Sequence, residues 1–127
     1  MKIVMKIVYI AGPFRGETAW DIERNVRLAE TAALEVARLG AMPMCPHTNT
    51  RFFHGQCTEF FWVEGTLELL RRCDAVLLVG EWQKSSGSRG EEAEAARLSL
   101  PIFQDLEKLH EWLVAERELA YGRGMGR

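Results

Sequence analysis

Short apolar runs alternate with longer segments of helical periodicity along the chain. The apolar runs are strand-sized and rich in β-branched residues, and they occupy residues 3–11, 41–45, 74–79 and 101–103. The periodic segments carry an apolar helical face, and they occupy residues 18–39, 58–72, 91–98 and 106–120. Such alternation predicts a Rossmann-like or flavodoxin-like α/β fold, with a parallel sheet of four to five strands and helices on both faces.

The size of the chain suits one domain. It has 127 residues, of which 47% are hydrophobic, so a core can form without disulfides or metals. Thr18 with Asp21 marks the start of the first helix and Gly40 marks its end. We assign residues 1–120 to the domain and predict that 121–127, with three glycines, is a disordered tail.

Charge and cysteine usage exclude several classes of protein. A net charge of -2 argues against a partner that is a nucleic acid polymer, although one small phosphorylated ligand needs only a local cation. The apolar runs are too short to span a membrane, and the amino-terminal residues do not form a signal peptide. Three cysteines without a C-x-x-C pair predict reduced thiols, two of them buried, and a cytoplasmic protein.

Polar and glycine residues concentrate in three segments that follow predicted strands, at residues 12–17, 46–57 and 80–90. In a parallel sheet these segments all leave the carboxyl ends of the strands, where ligand sites of open α/β folds lie. The segment 46–57 is also longer than a simple connection requires. The sequence therefore predicts one site at this edge of the sheet.

The first of these loops contains Gly12, Arg15 and Gly16. Glycines let the backbone approach an anion closely, and an arginine can pair with the anion in a fork. The loop is neither a GxGxxG motif nor a Walker loop. An ordinary turn with a solvated arginine explains the same residues equally well.

The third loop places hydroxyls and backbone amides just before a predicted helix start, which is a natural anion site. Glu91 falls in the first turn of that predicted helix, where the helix dipole favours an ionised carboxylate and thus a nucleophile. The alternative is a capping box formed by Ser88 and Glu91, in which the glutamate only satisfies a backbone amide. Capping boxes are the more common arrangement, so the residues alone favour this alternative.

The second loop carries histidines and aromatic residues. His47, His54, Cys45 and Cys57 match no standard spacing of zinc ligands, so we expect no metal and no other cofactor. Five aromatic residues lie between positions 52 and 62. They suit a stacking floor for a nucleobase, a hydrophobic lid, or a contact between subunits.

Four motifs taken together resemble the nucleoside 2-deoxyribosyltransferase-like superfamily, and are also similar to 2′-deoxynucleoside 5′-monophosphate N-glycosidases. The motifs are YIAGPFRG at 9–16, CPHTNT at 45–50, LRRCDAV at 70–76 and WxxSxGxxxE at 82–91. Each motif is short, but their order and spacing are specific, and the similarity extends from residue 9 to about residue 113. With this resemblance, a nucleophile becomes the favoured interpretation of Glu91, ahead of the capping box.

The resemblance implies cleavage of an N-glycosidic bond by a retaining route. Glu91 matches the nucleophile that attacks the anomeric carbon, and Tyr9 matches a tyrosine that orients this carboxylate. The base then leaves, and water or a second base takes the sugar. Ser85 stands where transferases that act on nucleosides carry an acid and where hydrolases of 5′-monophosphates carry a serine. Together with the first loop, Ser85 implies a nucleoside 5′-monophosphate.

The candidate site therefore has two catalytic residues, Tyr9 and Glu91, and a larger set of residues expected to bind the substrate. The expected substrate-binding residues are Gly12, Pro13, Phe14, Arg15, Gly16, Asn25, His47, Asn49, Asp74, Trp82, Ser85 and Gly87. Asp74 has a second explanation, because a polar residue there also marks the boundary between a helix and a buried strand.

One position departs from the family pattern. Relatives carry an aspartate eight residues before the position of Asp74, where it assists departure of the base, and this chain has Thr66. Glu64 and Glu68 flank Thr66 but do not share its helical face, since one or two residues turn a side chain by about 100° to 200°. Two functions therefore stay open: an N-glycosidase or deoxyribosyltransferase, and a nucleotide-binding module without catalysis.

The aromatic segment 52–62 also bears on assembly. It carries more aromatic residues than a small surface loop should leave in solvent. Members of the superfamily resemble one another in forming oligomers whose subunits complete the site. We therefore expect a homodimer or a higher homo-oligomer, with this segment at or near the contact.

Overall fold

A computed structural model describes residues 5–125, with side chains described through residue 122, and shows a four-stranded parallel sheet between two layers of helices. The elements in chain order are β1 Ile7–Ala11, α1 Ala19–Arg38, β2 Met42–Met44, α2 Pro46–Asn49, α3 Glu59–Arg71, β3 Ala75–Leu78, a 3₁₀ turn Trp82–Lys84, α4 Ser86–Arg97, β4 Ile102–Phe103 and α5 Leu106–Met125. The predicted α/β fold class is confirmed.

The sheet has the order β2-β1-β3-β4, and β1 and β3 are its two central strands. Val8 pairs with Ala75 and Ala11 pairs with Leu78, so these strands are in register along their whole shared length. Both strands are buried on both faces, which is why they read as continuous apolar runs. The chain turns to opposite sides of the sheet after β1 and after β3, and such a switch point is where ligands bind in these folds.

Side chains of the central strands alternate between two separate cores. Val8, Ile10 and Leu77 pack under α1 and α5, whereas Tyr9 and Leu78 pack under α3 and α4. The alternation follows from the two-residue period of a strand. Tyr9 therefore faces α3 and α4, and this placement decides which helices can supply partners for its hydroxyl.

Two helix starts agree with the sequence to within one residue. Thr18 caps α1 by accepting a hydrogen bond from the Asp21 amide at 3.1 Å. Thr58 caps α3 in the same way, with the Phe61 amide at 3.1 Å. A threonine cap contributes about 1 kcal/mol, because it satisfies an amide that has no partner within the helix.

Two predicted segments have different structures at their ends. β1 begins at Ile7 rather than residue 3, since its neighbouring strands begin opposite Ile7 and Val8; residues 3 and 4 lie outside the described residues. The tail predicted to be disordered from residue 121 continues α5 as far as Met125. Glycines weaken a helix but do not prevent one that is already nucleated from extending. Residues 126 and 127 lie outside the described part of the chain.

The second and third loops contain helices that the sequence analysis did not predict. The loop predicted at 46–57 opens with α2, which has Pro46 as its first residue, a favourable place for proline. The third loop ends five residues earlier than predicted, because α4 begins at Ser86 with Ser85 as its cap. The predicted helix start at Glu91 was therefore wrong.

The cysteines are free, as predicted. Cys45 and Cys73 are buried and Cys57 is exposed. Burial raises the pKa of the Cys73 thiol to about 11, so it stays protonated. Location in the cytoplasm stays a prediction. Within residues 5–125, we found no helix with the length and apolar character needed to cross a bilayer.

Asp74 lies at the amino edge of the sheet, just before β3. Its carboxylate accepts a hydrogen bond from the Ile7 amide at 2.8 Å and so joins the starts of β1 and β3. The loops that follow β1 and β3 leave the other edge of the sheet. Asp74 is therefore a strand-boundary residue, and we leave it out of the candidate site although the sequence analysis included it.

We predict that Asp74→Ala lowers the free energy of unfolding by about 1–2 kcal/mol, because the Ile7 amide loses its acceptor. Asp74→Asn keeps a side-chain oxygen and should lose less than half as much. Urea denaturation of the three proteins measures the difference. Equal losses in the two variants would contradict a role for this hydrogen bond.

Candidate active site

A tyrosine and a glutamate meet above the α3–α4 face of the sheet. The Tyr9 side chain is fully buried, and its hydroxyl donates a hydrogen bond to Oε2 of the half-buried Glu91. Ser88 and Ala95 lie three residues before and four residues after Glu91 in α4, and both are buried. Because residues at this spacing share one face of a helix, α4 turns Glu91 towards the sheet.

Burial sets the protonation of this pair. It raises the pKa of Glu91 to about 7, while the hydrogen bond from Tyr9 acts in the opposite direction. Burial and the neighbouring carboxylate raise the pKa of Tyr9 well above its usual value, so the phenol keeps its proton and donates. Glu91 therefore exchanges its proton near neutral pH.

Because of its position in α4, Glu91 neither forms a capping box nor is held ionised by the helix dipole. Glu91 is the sixth residue of the helix, and the cap is Ser85, whose hydroxyl accepts from the Ser88 amide at 3.1 Å. The helix dipole acts mainly within the first turn. It does not hold Glu91 ionised, which corrects the expectation drawn from the sequence.

Thr66 in α3 belongs to the same group of side chains. Its hydroxyl donates to the carbonyl oxygen of Val63 at 3.0 Å. It also lies near the Tyr9 hydroxyl and acts to lower the pKa of that phenol. The position that departs from the family pattern is thus a neighbour of the pair formed by Tyr9 and Glu91.

The glutamates on either side of Thr66 do not replace the missing acid. Glu68 is bound by Arg72 at 3.0 Å and by Arg71 at 3.4 Å. Glu64 is exposed. In the described residues, α3 therefore brings a hydroxyl and no carboxylate to Tyr9.

Glycines shape the first loop, residues 12–17. A Cβ atom at Gly12 would lie 2.6 Å from Cγ2 of Val79. The loop therefore lies so close to the residue after β3 that only glycine fits at position 12. A Cβ atom at Gly16 would lie 2.5 Å from Cβ of Asp21 in α1. The loop is therefore pressed against both β3 and α1.

Asn25 and His47 hold the first loop from two sides. The Asn25 amide donates to the carbonyl oxygens of Phe14 and Arg15, each at 3.1 Å. The His47 Nε2 donates to the carbonyl oxygen of Pro13 at 2.9 Å. Burial lowers the pKa of His47, so the ring is neutral and its Nδ1 is a buried acceptor with no hydrogen-bond partner among the described residues. Substrate contact by either side chain stays a prediction.

Arg15 and Asn49 point towards solvent. The Arg15 guanidinium is 70% exposed and pairs with the Glu59 carboxylate at the start of α3. Asn49 is exposed at the end of α2. The Phe14 ring packs edge-on against His47, with 5.8 Å between ring centroids. An anion in this loop would have to share Arg15 with Glu59.

The first turn of α4, near Glu91, presents backbone amides that suit an anion. The Ser86 and Gly87 amides have no acceptor within the helix. A Cβ atom at Gly87 would find only the Ser85 hydroxyl nearby, at 3.9 Å, so a ligand can approach this backbone. Trp82, in the preceding 3₁₀ turn, is half-buried and packs against the core that contains Tyr9.

Sequence reasoning missed three residues at this edge. Ser88 is 1% exposed, and its hydroxyl has no hydrogen-bond partner among the described residues. Its spacing of three from Glu91 would have indicated a shared face, had the helix start been known. Thr66 was noted only because it replaces the aspartate of the family pattern. The contact of Glu59 with Arg15 spans 44 positions and has no local signal.

No group of three His, Cys, Asp or Glu side chains within the described ranges could hold a metal ion.

Comparison with known proteins defines the family. A family model described as "Domain of unknown function (DUF7768)" matches residues 6–105. The chain belongs to this family. The matched region contains all four strands and the helices α1 to α4. A comparison with curated proteins found no match.

A solved structure shows the same fold as this DUF7768 domain. The chain is similar to the 2-deoxyribosyltransferase of Bacillus psychrosaccharolyticus, with a TM-score of 0.57 and 20% sequence identity. The match covers 76% of this chain and 69% of that one. A likeness at this identity demonstrates a distant structural relationship and the shared fold.

We predict that Tyr9→Phe raises the pKa of Glu91 above about 7, because the hydrogen bond that stabilises the ionised carboxylate is lost. A carbon-13 NMR titration of the glutamate side-chain carboxyls measures this pKa, and Glu91→Gln identifies the resonance. A pKa that stays unchanged or falls would show that the Tyr9 hydroxyl does not act on Glu91.

Proposed function

We propose that this DUF7768 protein cleaves the N-glycosidic bond of a nucleoside 5′-monophosphate, with Glu91 as nucleophile and Tyr9 as the residue that orients it. The hydrogen bond from the buried Tyr9 hydroxyl to Glu91 carries the proposal. This bond engages Oε2 and leaves Oε1 without a partner among the residues described. A carboxylate fixed through one oxygen presents the other in a defined direction, as nucleophilic catalysis requires.

The reaction has two steps. Oε1 of ionised Glu91 attacks the anomeric carbon of the sugar, the bond from that carbon to the base nitrogen breaks, and the base leaves with the electron pair and takes a proton from solvent. A water molecule then attacks the anomeric carbon of the glycosyl ester and gives up a proton to solvent, while the bond to Oε1 breaks and releases the sugar phosphate and the Glu91 carboxylate. If a second base replaces water, the same intermediate gives transfer.

The first turn of α4 supports a phosphate-bearing substrate. The free amides of Ser86 and Gly87 suit an anion, and the Ser85 cap is uncharged and does not repel it. Glu91 lies five residues farther along the helix, which is about 7.5 Å at 1.5 Å per residue. A furanose with a 5′-phosphate can span such a distance, with its anomeric carbon at Glu91 and its phosphate at Ser86 and Gly87.

The structural relative supports the same class of chemistry. It is a 2-deoxyribosyltransferase described as a biocatalyst for the synthesis of nucleosides. Parallel α/β sheets of this kind bind ligands at the carboxyl ends of their strands, the edge that the loops after β1 and β3 leave. We therefore place the proposed reaction within nucleotide metabolism, with a nucleoside or its monophosphate as the small-molecule partner.

One observation favours a second function. Thr66 occupies the position of the acid that assists departure of the base in relatives, and no carboxylate of α3 reaches Tyr9 in the described residues. A nucleotide-binding module without catalysis is consistent with this. Incubation with a panel of nucleoside and deoxynucleoside monophosphates distinguishes the two: released base supports the enzyme, and binding without release over hours supports the module.

We predict that Glu91→Gln lowers base release by about 10³-fold or more while substrate still binds, because the amide is nearly isosteric but a poor nucleophile. Chromatography of the free base measures the rate, and calorimetry measures binding. Glu92→Gln, a change of the same kind at the next position, should stay near the wild-type rate. If Glu91→Gln keeps most of that rate, the covalent route is wrong.

We predict that Ser85→Asp and Arg15→Ala each weaken binding of a monophosphate by about tenfold, with little effect on the nucleoside. Aspartate preserves the helix cap, so the first variant adds a charge facing the phosphate without removing the cap. The second removes a cation. Calorimetry with a nucleoside and its monophosphate measures the effect, and equal losses for both ligands would contradict contact with the phosphate.

We also propose that two or more copies assemble through the aromatic segment 52–62. Phe52 is 83% exposed and Phe60 is 74% exposed. Phe53 and Phe61 are also exposed and lie against Trp62, with ring centroids 6.2 Å and 5.1 Å away. An apolar surface of this kind suits a self-complementary contact between identical subunits.

We predict a mass of at least twice 14.5 kDa by light scattering at micromolar concentration. Phe60→Glu should reduce it, since the charge enters the contact and the side chain is exposed in the single chain. A mass near 14.5 kDa for the wild type would contradict assembly. Unchanged oligomers of the Phe60 variant would place the contact elsewhere.

A further inference from the structure

A cleft of about 330 Å³ opens on the face of the sheet opposite to Tyr9 and Glu91. It lies between α1 and the start of α5, beside the carboxyl end of β3. Its volume is at the lower end of the range of about 300–1,000 Å³ that is typical of small-molecule sites. Tyr9 and Glu91 do not line it, so the proposed reaction does not account for it.

Apolar side chains form much of the cleft wall. Leu28 and Ala32 contribute from α1, and Leu106 contributes from α5. Gly80 fixes the shape of one side: its φ is +61°, and a Cβ atom there would lie 2.6 Å from Cδ2 of Leu28. Trp82 also lines the cleft, although it packs against the core that contains Tyr9. An apolar group of a ligand would find contacts here.

The polar residues of the lining are acidic or neutral. Glu35 and Asp105 supply carboxylates, Gln83 and Gln104 supply amides, and the lining contains no lysine or arginine. Glu35 makes no side-chain hydrogen bond or ion pair with any described residue. One Asp105 oxygen caps α5 by accepting from the Lys108 amide at 2.8 Å, and its other oxygen has no hydrogen-bond partner in the part of the chain that the structure describes. The cleft therefore attracts a cation and repels an anion.

We propose that this cleft binds a small organic amine, with its ammonium group at Glu35 and Asp105 and its apolar part against Leu28 and Trp82. The ammonium supplies hydrogen-bond donors to carboxylate oxygens that lack partners. The Trp82 ring adds an aromatic surface, which favours a cation nearby. This ligand carries the opposite charge to the substrate proposed for the first site, although Trp82, one of the residues expected to bind that substrate, also lines the cleft.

Three probes of equal size test the charge preference: phenethylamine, 2-phenylethanol and phenylacetate. Calorimetry measures their affinities, and nitrogen-15 NMR locates them through the amides of Gly80, Gln83 and Gln104. The amine should bind about tenfold more tightly than the alcohol, as a charge-assisted hydrogen bond predicts, and the acid should bind more weakly than either. Equal binding of the three probes would overturn the proposal.

Two variants test whether the Glu35 carboxylate binds the ammonium group. Glu35→Gln should remove the preference for the amine over the alcohol, whereas Glu118→Gln, an equal change at an exposed position of α5, should keep it. Base release should be unchanged in Glu35→Gln, so failure of this proposal and failure of the proposed reaction are separable. Amine-induced shifts confined to residues around Glu91 would place the ligand in the first site and overturn the second.

Discussion

Burial of β3, and of β1 from Val8 onwards, is the constraint on which the rest of the structure depends. Because side chains alternate along a strand, a strand covered on both faces must send Val8 and Ile10 into one core and Tyr9 into the other. A buried phenol needs a hydrogen-bond partner. Glu91 supplies it from α4, so the packing that forms the sheet also holds a carboxylate against the interior.

The free-energy cost of burying the Glu91 carboxylate sets its pKa, and the pKa determines what the carboxylate can do near neutral pH. Desolvation holds the pKa of Glu91 near 7, and Ser85 rather than Glu91 caps the helix. Perturbed carboxylates of this kind cluster at functional sites. The free amides of the first turn and the carboxylate of the second turn belong to one rigid helix, so their separation does not depend on loop conformation. The geometry of the proposed anion site and the position of Glu91 are therefore coupled.

The loops around this pair are positioned by side chains that the sequence analysis assigned to the substrate. Asn25 and His47 bind backbone carbonyls of the first loop, and Arg15 pairs with Glu59. Polar residues near a site thus divide into those that hold the backbone and those left open to solvent. On the opposite face the polar residues divide in the same way, since Asp105 caps α5 whereas the Glu35 side chain has no partner within the described part of the chain.

The sequence by itself determined the order of the four strands and of the four long helices that alternate with them, and the helix start at Thr18. These depend on residue period and on contacts within one turn, which local sequence records. The candidate pair of Tyr9 and Glu91 came instead from the resemblance of four motifs to a known family, since the residues alone favoured a capping box at Glu91. Tertiary structure alone decided that Asp74 lies at the amino edge and that Thr66 reaches Tyr9. It also decided the protonation of Glu91, because burial depends on how segments distant in sequence pack, and local propensity carries no information about that packing.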